Sequence, residues 1–295
     1  MTEANLSGAD LRGADLSNAN LQDAKLNFAK LNNAKLHNTI LKNASLQKAS
    51  LRNADLQNAI LREADLSYAD LHSANLRSAT LIQTTLHKAN LSYTTVHKAN
   101  LSYADLSYAD LRKADFTQAI LREASLKGAY LNNAILLKAD LNNTNLSGAD
   151  LNNTDLTRAD LSGANLNGAN LSQAFLRTTQ VQGCNFTAAT LTGACIHTWE
   201  LNSSTQLEAV ICPYVYLKAE RFKDAWIPSN RCPTDLKQFL APGEFANLFQ
   251  TDQESADLLF ADGINWHAFG RRSKRCDRSM VISQSKRSKP SRMLL

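Results

Sequence analysis

An apolar side chain recurs at every fifth position from Leu6 to Leu201 without a slip. The run holds 40 positions, 35 of them Leu; Val96, Phe116, Val181, Phe186 and Ile196 fill the others. Two residues earlier sits a small side chain. It is Ala in most repeats (Ala4, Ala9, Ala104), Thr at Thr39, Thr84, Thr94, Thr144, Thr154 and Thr179, and once Cys184. The remaining positions are mostly polar. Five residues advance an α-helix by ~500°, which spreads the leucines around all sides. On an unbroken strand an odd spacing sends alternate leucines to opposite faces. A chain that corners once per repeat keeps them all inward, and such units bury their apolar side only by stacking. The period therefore predicts an all-β parallel solenoid over 1–201, with coils ~4.8 Å apart. Leu6, Leu101, Ala104, Leu106, Phe116 and Phe186 are core residues in this reading. Burying one Leu contributes ~2 kcal/mol, and ordering the chain costs as much or more, so the coils are stable only together.

The repeat unit Ala-Asp/Asn-Leu-x-x, as in Ala14-Asp15-Leu16 and Ala99-Asn100-Leu101, resembles the pentapeptide-repeat family across residues 4–201. The resemblance implies a right-handed quadrilateral parallel β-helix, with four repeats per coil. Leu and the small residue point inward, the other three outward. On that geometry the repeats make about ten coils, a rod ~48 Å long. Trp199 takes the small slot of the last repeat. A ring there overpacks a regular coil, so Trp199 is expected to mark where the coil opens and a cap begins.

Residues 202–270 leave the period and read as a small mixed capping module. Segments 210–212 and 214–217 read as short strands around Pro213. Pro228 and Pro233 mark a loop. Segments 235–240 and 243–250 read as helices broken at Pro242, and 255–261 as another stopped by Gly263. Segments 242–250 and 262–269 are similar to the C-terminal module of cyanobacterial pentapeptide-repeat proteins, a resemblance that implies no chemistry. Residues 271–295 are basic, Ser-rich and aperiodic, and read as a disordered tail. Similar proteins continue here with mixed charge, so a truncation or frame change is one origin for this tail.

The formal net charge of +5 is uneven. Residues 1–201 carry 18 basic and 17 acidic side chains, residues 202–270 carry 5 and 9, and residues 271–295 carry 9 and 1. The rod is thus nearly neutral and the tail holds the basic excess. No apolar run is long enough for a membrane helix, and the start lacks the pattern of a secretory leader. Five cysteines without paired spacing fit a reducing, cytoplasmic setting. His37, His97 and His197 share a column but lie three and five coils apart, which does not make a metal site. Phosphate loops and nucleophile elbows are missing, and the Asp residues before Leu belong to the repeat, at corners where they bond backbone amides. No catalytic, cofactor-binding or metal-ligating set is read, and the chain is expected not to be an enzyme.

Residues 20 apart stack in a quadrilateral coil. Lys30 then sits above Asp10, Lys35 lies between Asp15 and Asp55, and Asn18, Asn38 and Asn58 form a ladder. Ile40, Ile60 and Ile82 share one face. Ile135, Leu137 and Phe175 share another, with Tyr130 around the corner, and make the candidate partner patch. The expected role is a structural or protein-interaction scaffold, whose partner is another protein or a second copy docked at a solenoid end. Two alternatives are a DNA-mimic binder of a topoisomerase, as some family members are of DNA gyrase, and nucleic-acid binding through 271–295. The mimic role needs an acidic rod, whereas Lys25, Lys30 and Lys35 crowd one coil here. Leu101→Asp should unfold several coils by burying an unpaired charge, while Ser102→Lys on the outside should be silent. Thermal melts followed by circular dichroism compare the two, and equal behaviour refutes the inside–outside assignment.

Overall fold

The computed structural model describes residues 1–249 apart from Glu200, Asp224 and Leu248. The helix expected at 255–261, the segment 262–269 and the tail 271–295 lie outside the described residues. Parallel bridges join each residue before Leu to the one 20 positions on, from Asn5↔Lys25 to Cys195, so four repeats close one coil. The result is a quadrilateral parallel β-helix. Its faces are numbered here by their central residues: face one carries Leu21, face two Leu26, face three Leu31 and face four Leu36.

The hydrogen bonds show why the repeat has its composition. In the repeat around Leu26, Leu26 N–H donates to Ser45 O (2.7 Å) and Phe28 N–H to Gln47 O (2.9 Å), both in the next coil. Lys25 N–H donates back to Ala4 O (2.9 Å), and Ala29 N–H closes the turn on Leu26 O (3.0 Å). One N–H per repeat, that of the residue after Leu, finds no backbone acceptor in this scheme. Asp or Asn before Leu supplies one: Ser67 N–H donates to Asp65 Oδ1 (2.9 Å) and Thr157 N–H to Asp155 Oδ1 (2.9 Å). Where Ser45 stands instead, Asn27 of the preceding coil accepts from Gln47 N–H (2.9 Å). The second residue after Leu has positive φ at nearly every corner, as at Asn58 (57°) and Tyr68 (61°). This is the left-handed third residue of a type II turn. Asn and Gly suit it, and Lys, Tyr and Glu are held there at some cost.

From Leu21 onward the inward leucines are fully buried, among them Leu101 and Leu106, together with Phe116, Phe186 and Ala104. Leu6, Leu11 and Leu16 are only half-buried, with a neighbouring coil on one side alone. Thr in the small slot buries no unsatisfied hydroxyl: Thr84 Oγ1 donates to Leu61 O (2.8 Å) and Thr154 Oγ1 to Leu131 O (2.9 Å). The Asn ladder forms, Asn38 to Asn18 (3.1 Å) and Asn58 to Asn38 (3.2 Å). Ser102, expected outside, is 9% exposed, because its stack neighbours cover it and its hydroxyl bonds Asn100 Oδ1 (2.7 Å). A lysine there must break that cover, so exposed Lys98 is the better position for a silent change.

The stack runs past Leu201. Asn185↔Gln206, Thr190↔Ile211 and Cys195↔Tyr216 pair with an offset of 21. One extra residue enters the turn at 202–205, and Asn202 absorbs it: its Oδ1, not its carbonyl, accepts from Gly183 N–H (2.9 Å) and also from Ser204 Oγ (2.8 Å). Trp199 therefore does not open the coil. It is fully buried, with its ring 5.1 Å from Phe186 and 6.4 Å from Phe249. Phe245 and Phe249 complete this aromatic plug over the core's end.

Beyond the last rung the chain forms an antiparallel hairpin, β1 Val215–Phe222 and β2 Ala225–Cys232. Pro228, expected in a loop, lies in β2 opposite Ala219. It is tolerated because β2 is an edge strand. The expected helix at 235–240 is absent. Arg231 stacks on Tyr214 and Phe239 (4.5 and 5.6 Å) and collects the carbonyls of Pro233, Asp235 (2.9 Å) and Gln238 (3.3 Å). Those last two carbonyls are thereby turned away from a helical ladder. Among the described residues of 243–250, the helix is the short α1, Glu244–Asn247. Trp199→Ala should cost about 3–5 kcal/mol and loosen the plug and hairpin first. Hydrogen exchange that speeds up beyond residue 180 while residues 21–160 stay protected is the expected result.

Candidate interaction face

Face four is where the columns stop being self-consistent. Its column before Leu reads Asp115, Ile135, Asp155, Phe175, Cys195 and Tyr216, bridged in that order. The column after Leu reads Leu137, Thr157, Arg177, His197 and, through the 21-residue step, Lys218. Ile135 is 42% exposed, and Leu137 two residues on is half-buried. Phe175, half-buried, lies two coils away with Asp155 between. Tyr130 is exposed on face three, between Asp110 and Asp150. The structure thus joins Ile135 and Leu137 and leaves Phe175 and Tyr130 as separate points, so the patch is broken by carboxylates rather than continuous.

The residues left out of the sequence-predicted patch are cationic; of these Lys138 and Arg158 are readable in the sequence as stacked basic neighbours. Lys138 and Arg158 stack one coil apart at the corner beside Leu137 and Thr157. Arg177, His197 and Lys218 continue upward. None of the ion pairs among the described residues includes Lys138, Arg158, Arg177 or Lys218. Arg177 lays its guanidinium 3.9 Å from the Trp226 ring of the hairpin, and its Nε and the Nδ1 of His197 are buried without a hydrogen-bond partner. Burial, and then the charge of Arg158, pull Arg177 below the usual arginine range. Burial also lowers His197, with Arg177 and Lys218 adding to the effect. Arg177 and His197, 20 apart, were legible as a stacked pair. Lys218 was hidden by the one-residue slip.

Elsewhere several columns satisfy themselves. On face two Phe28, Lys48, Tyr68, Lys88 and Tyr108 form one column, with Lys48 over the Phe28 ring (5.5 Å) and Lys88 over Tyr68 (5.8 Å). His87 packs edge-on against both tyrosines (5.8 and 5.9 Å). On face one Arg122 bonds Asp140, and Asn142 bridges Asp140 and Asp160 (2.9 and 2.8 Å). This relieves the adjacent carboxylates. Arg12 holds Asp10 down at about 2. Burial pushes the Cys184 thiol up to about 12 and raises Cys195 and Cys212, so none of the three is a thiolate nucleophile at neutral pH. Among the described residues no group of His, Cys, Asp and Glu is arranged to hold a metal ion, and no helix is long and apolar enough to cross a membrane.

A profile of pentapeptide repeats matches the chain in eight copies, over residues 1–38, 29–67, 39–77, 69–102, 99–136 and 139–177. No curated protein matches. Among solved structures, HetL of the cyanobacterium Nostoc sp. strain PCC 7120, a pentapeptide-repeat protein involved in heterocyst differentiation regulation, is 35% identical. The match covers 72% of this chain and 90% of HetL, with a TM-score of 0.43. AT2G44920, a pentapeptide-repeat protein from the Arabidopsis thaliana thylakoid lumen, is also 35% identical, over 34% of this chain and 66% of that one, at a TM-score of 0.23. QnrB1, a plasmid-mediated fluoroquinolone resistance protein, is 18% identical over 71% and 89%, at 0.35.

Because His197 is held below its usual 6.5 in the fold, the unfolded chain takes up the proton first as pH falls. The stabilising contribution is complete above about pH 6.5 and is lost on acidification through the window below it. Amide exchange at 195–219, corrected for intrinsic rates, should therefore quicken between about pH 7.5 and 5.5. His197→Gln should flatten that response.

Proposed function

The chain belongs to the pentapeptide-repeat family, with its right-handed quadrilateral β-helix, and on that premise we propose that it is a non-catalytic rod that presents face four to another protein. One observation carries the reading: the outward apolar residues Ile135, Leu137 and Phe175 coincide on that face with cations that are in no ion pair among the described residues. A rigid wall with fixed side-chain spacing offers a partner a surface that need not be ordered on binding, which removes part of the association cost. The scaffold role is also favoured by chemistry. The carboxylates before Leu are occupied with backbone amides, and the buried thiols are protonated. Cys184, Cys195 and Cys212 are free and buried, whereas Cys232 is disulfide-bonded, so the cysteines do not favour the reducing compartment that their spacing suggested.

The DNA-mimic alternative draws no support from this face. A mimic of duplex DNA needs a continuous negative field, and the C-terminal half of face four carries Arg158, Arg177 and Lys218.

The test is the triple variant Ile135→Ser, Leu137→Ser and Phe175→Ser. All three positions point outward, so circular dichroism and melting temperature should stay close to the parent. Cross-linking pull-down should lose whatever partner the parent retains. A partner held equally by the folded triple variant removes face four from the proposal.

A further inference from the structure

We propose that the unpaired cations Lys138, Arg158, Arg177 and Lys218 form a docking strip for an extended acidic segment of the partner protein, with Ile135, Leu137 and Phe175 beside it as seats for that segment's apolar residues. The inference rests on face four being the partner face and names the chemistry that it selects.

From Lys138 to Lys218 the strip spans four coil steps or ~19 Å at the strand spacing, with a cation on every rung except that of His197. An extended peptide covers that length with about six residues, and its alternate side chains, ~7 Å apart, face one way. Acidic residues at alternate positions then bring about three carboxylates to the strip's four cations. Leu137 shares the column of Arg177 and Lys218, while Ile135 and Phe175 stand in the column on the other side of the inward residues Leu136, Leu156 and Leu176.

Ion pairs occupy some of the rod's cations, as Arg52 with Asp70 (3.0 Å), Arg112 with Asp110 (2.6 Å) and Arg122 with Asp140, while others, such as Lys25, Lys30 and Lys98, are in none among the described residues. Lys138, Arg158, Arg177 and Lys218 differ in lying on one face beside outward apolar side chains. Asp155, whose charge reaches Arg177, spends an oxygen on Thr157 N–H (2.9 Å). Four cations on one edge without an ion pair among the described residues repel one another, and that repulsion is relieved by an anionic partner. Arg177 has its plane fixed by Trp226 and its Nε buried. A carboxylate can meet its other guanidinium nitrogens with little loss of side-chain freedom.

A nucleic-acid backbone fits less well. It has no use for Ile135 and Leu137, Phe175 is half-buried, and the Trp226 ring is already stacked on Arg177 rather than open to a base.

The experiment uses the full chain and three probes: a peptide of about eight residues alternating Glu with Leu, the same peptide with Gln for Glu, and an oligothymidylate of equal charge. Binding is followed by fluorescence anisotropy at low and high salt. The Glu peptide should bind, weaken as salt rises, and lose roughly tenfold in affinity on Lys138→Gln/Arg158→Gln, both exposed positions. Lys42→Gln/Arg62→Gln on face one should leave it unchanged. Arg177→Gln should weaken it further. If the Gln peptide binds as tightly as the Glu peptide, the cation strip is wrong while face four survives as an apolar contact. If neither peptide binds, or the loss is the same on face one, the strip is refuted, and the serine triple variant judges face four independently. Tighter binding of the oligothymidylate overturns the choice of a protein partner.

Discussion

The wall of the rod is one residue thick and its inner side is closed to water, so every inward N–H must find an acceptor at once. Coil-to-coil bonding meets this demand for three of the five amides in a repeat, through contacts such as Leu26 to Ser45 and Lys25 to Ala4, and the turn bond onto the Leu carbonyl meets it for a fourth. The fifth depends on Asp or Asn before Leu, as at Asp65 and Asp155. That single requirement explains why carboxylates crowd the sequence without forming an active site. It also explains why Thr is admitted to the small slot, since the Leu carbonyl that closes each turn has a second lone pair for its hydroxyl.

The same ladder sets where the rod can change. Inserting a residue normally destroys the register of every later coil. Here the extra residue falls in the turn at 202–205, and the Asn202 side chain stands in for the carbonyl that the insertion displaces. The stack can then run one rung further, to Tyr216, before β1 carries the chain away as a hairpin. Trp199 fits a slot made for Ala because the core ends there, and Phe186, Phe245 and Phe249 fill the space around it. Cap and coil are thus one packing unit.

Function follows from what the ladder leaves over. Most outward columns pair internally, by amide stacking at Asn18, Asn38 and Asn58, by ion pairs, or by lysine over aromatic rings. A side chain with no such partner is therefore conspicuous. On face four, unpaired cations meet exposed apolar groups and the hairpin's Trp226. The hairpin matters because it shields Arg177 and His197 from water and fixes the guanidinium plane. The conformation of the C-terminal module and the character of the face are coupled through that contact.

The five-residue period determined the inward set, the parallel stacking and the polar exterior, because burial of Leu and Ala at a constant interval permits few other chain paths. With the family's four-sided coil it also placed Asn18 with Asn38, since side chains 20 apart must stack, and it set Ile135 and Leu137 outward on either side of inward Leu136. Tertiary structure alone decided the rest. Ser102 is covered by neighbours in adjacent coils, which a repeat read in isolation does not show. The helix expected at 235–240 yields to Arg231, which is held against the Tyr214 ring and draws the carbonyls of Asp235 and Gln238 to itself. Lys218 joins the column of Arg177 and His197 only after the slip at 202–205 is counted in space rather than along the chain. Local spacing specifies a register for as long as the period holds; once it breaks, the register belongs to whichever hydrogen bonds and packed rings the neighbouring coil supplies.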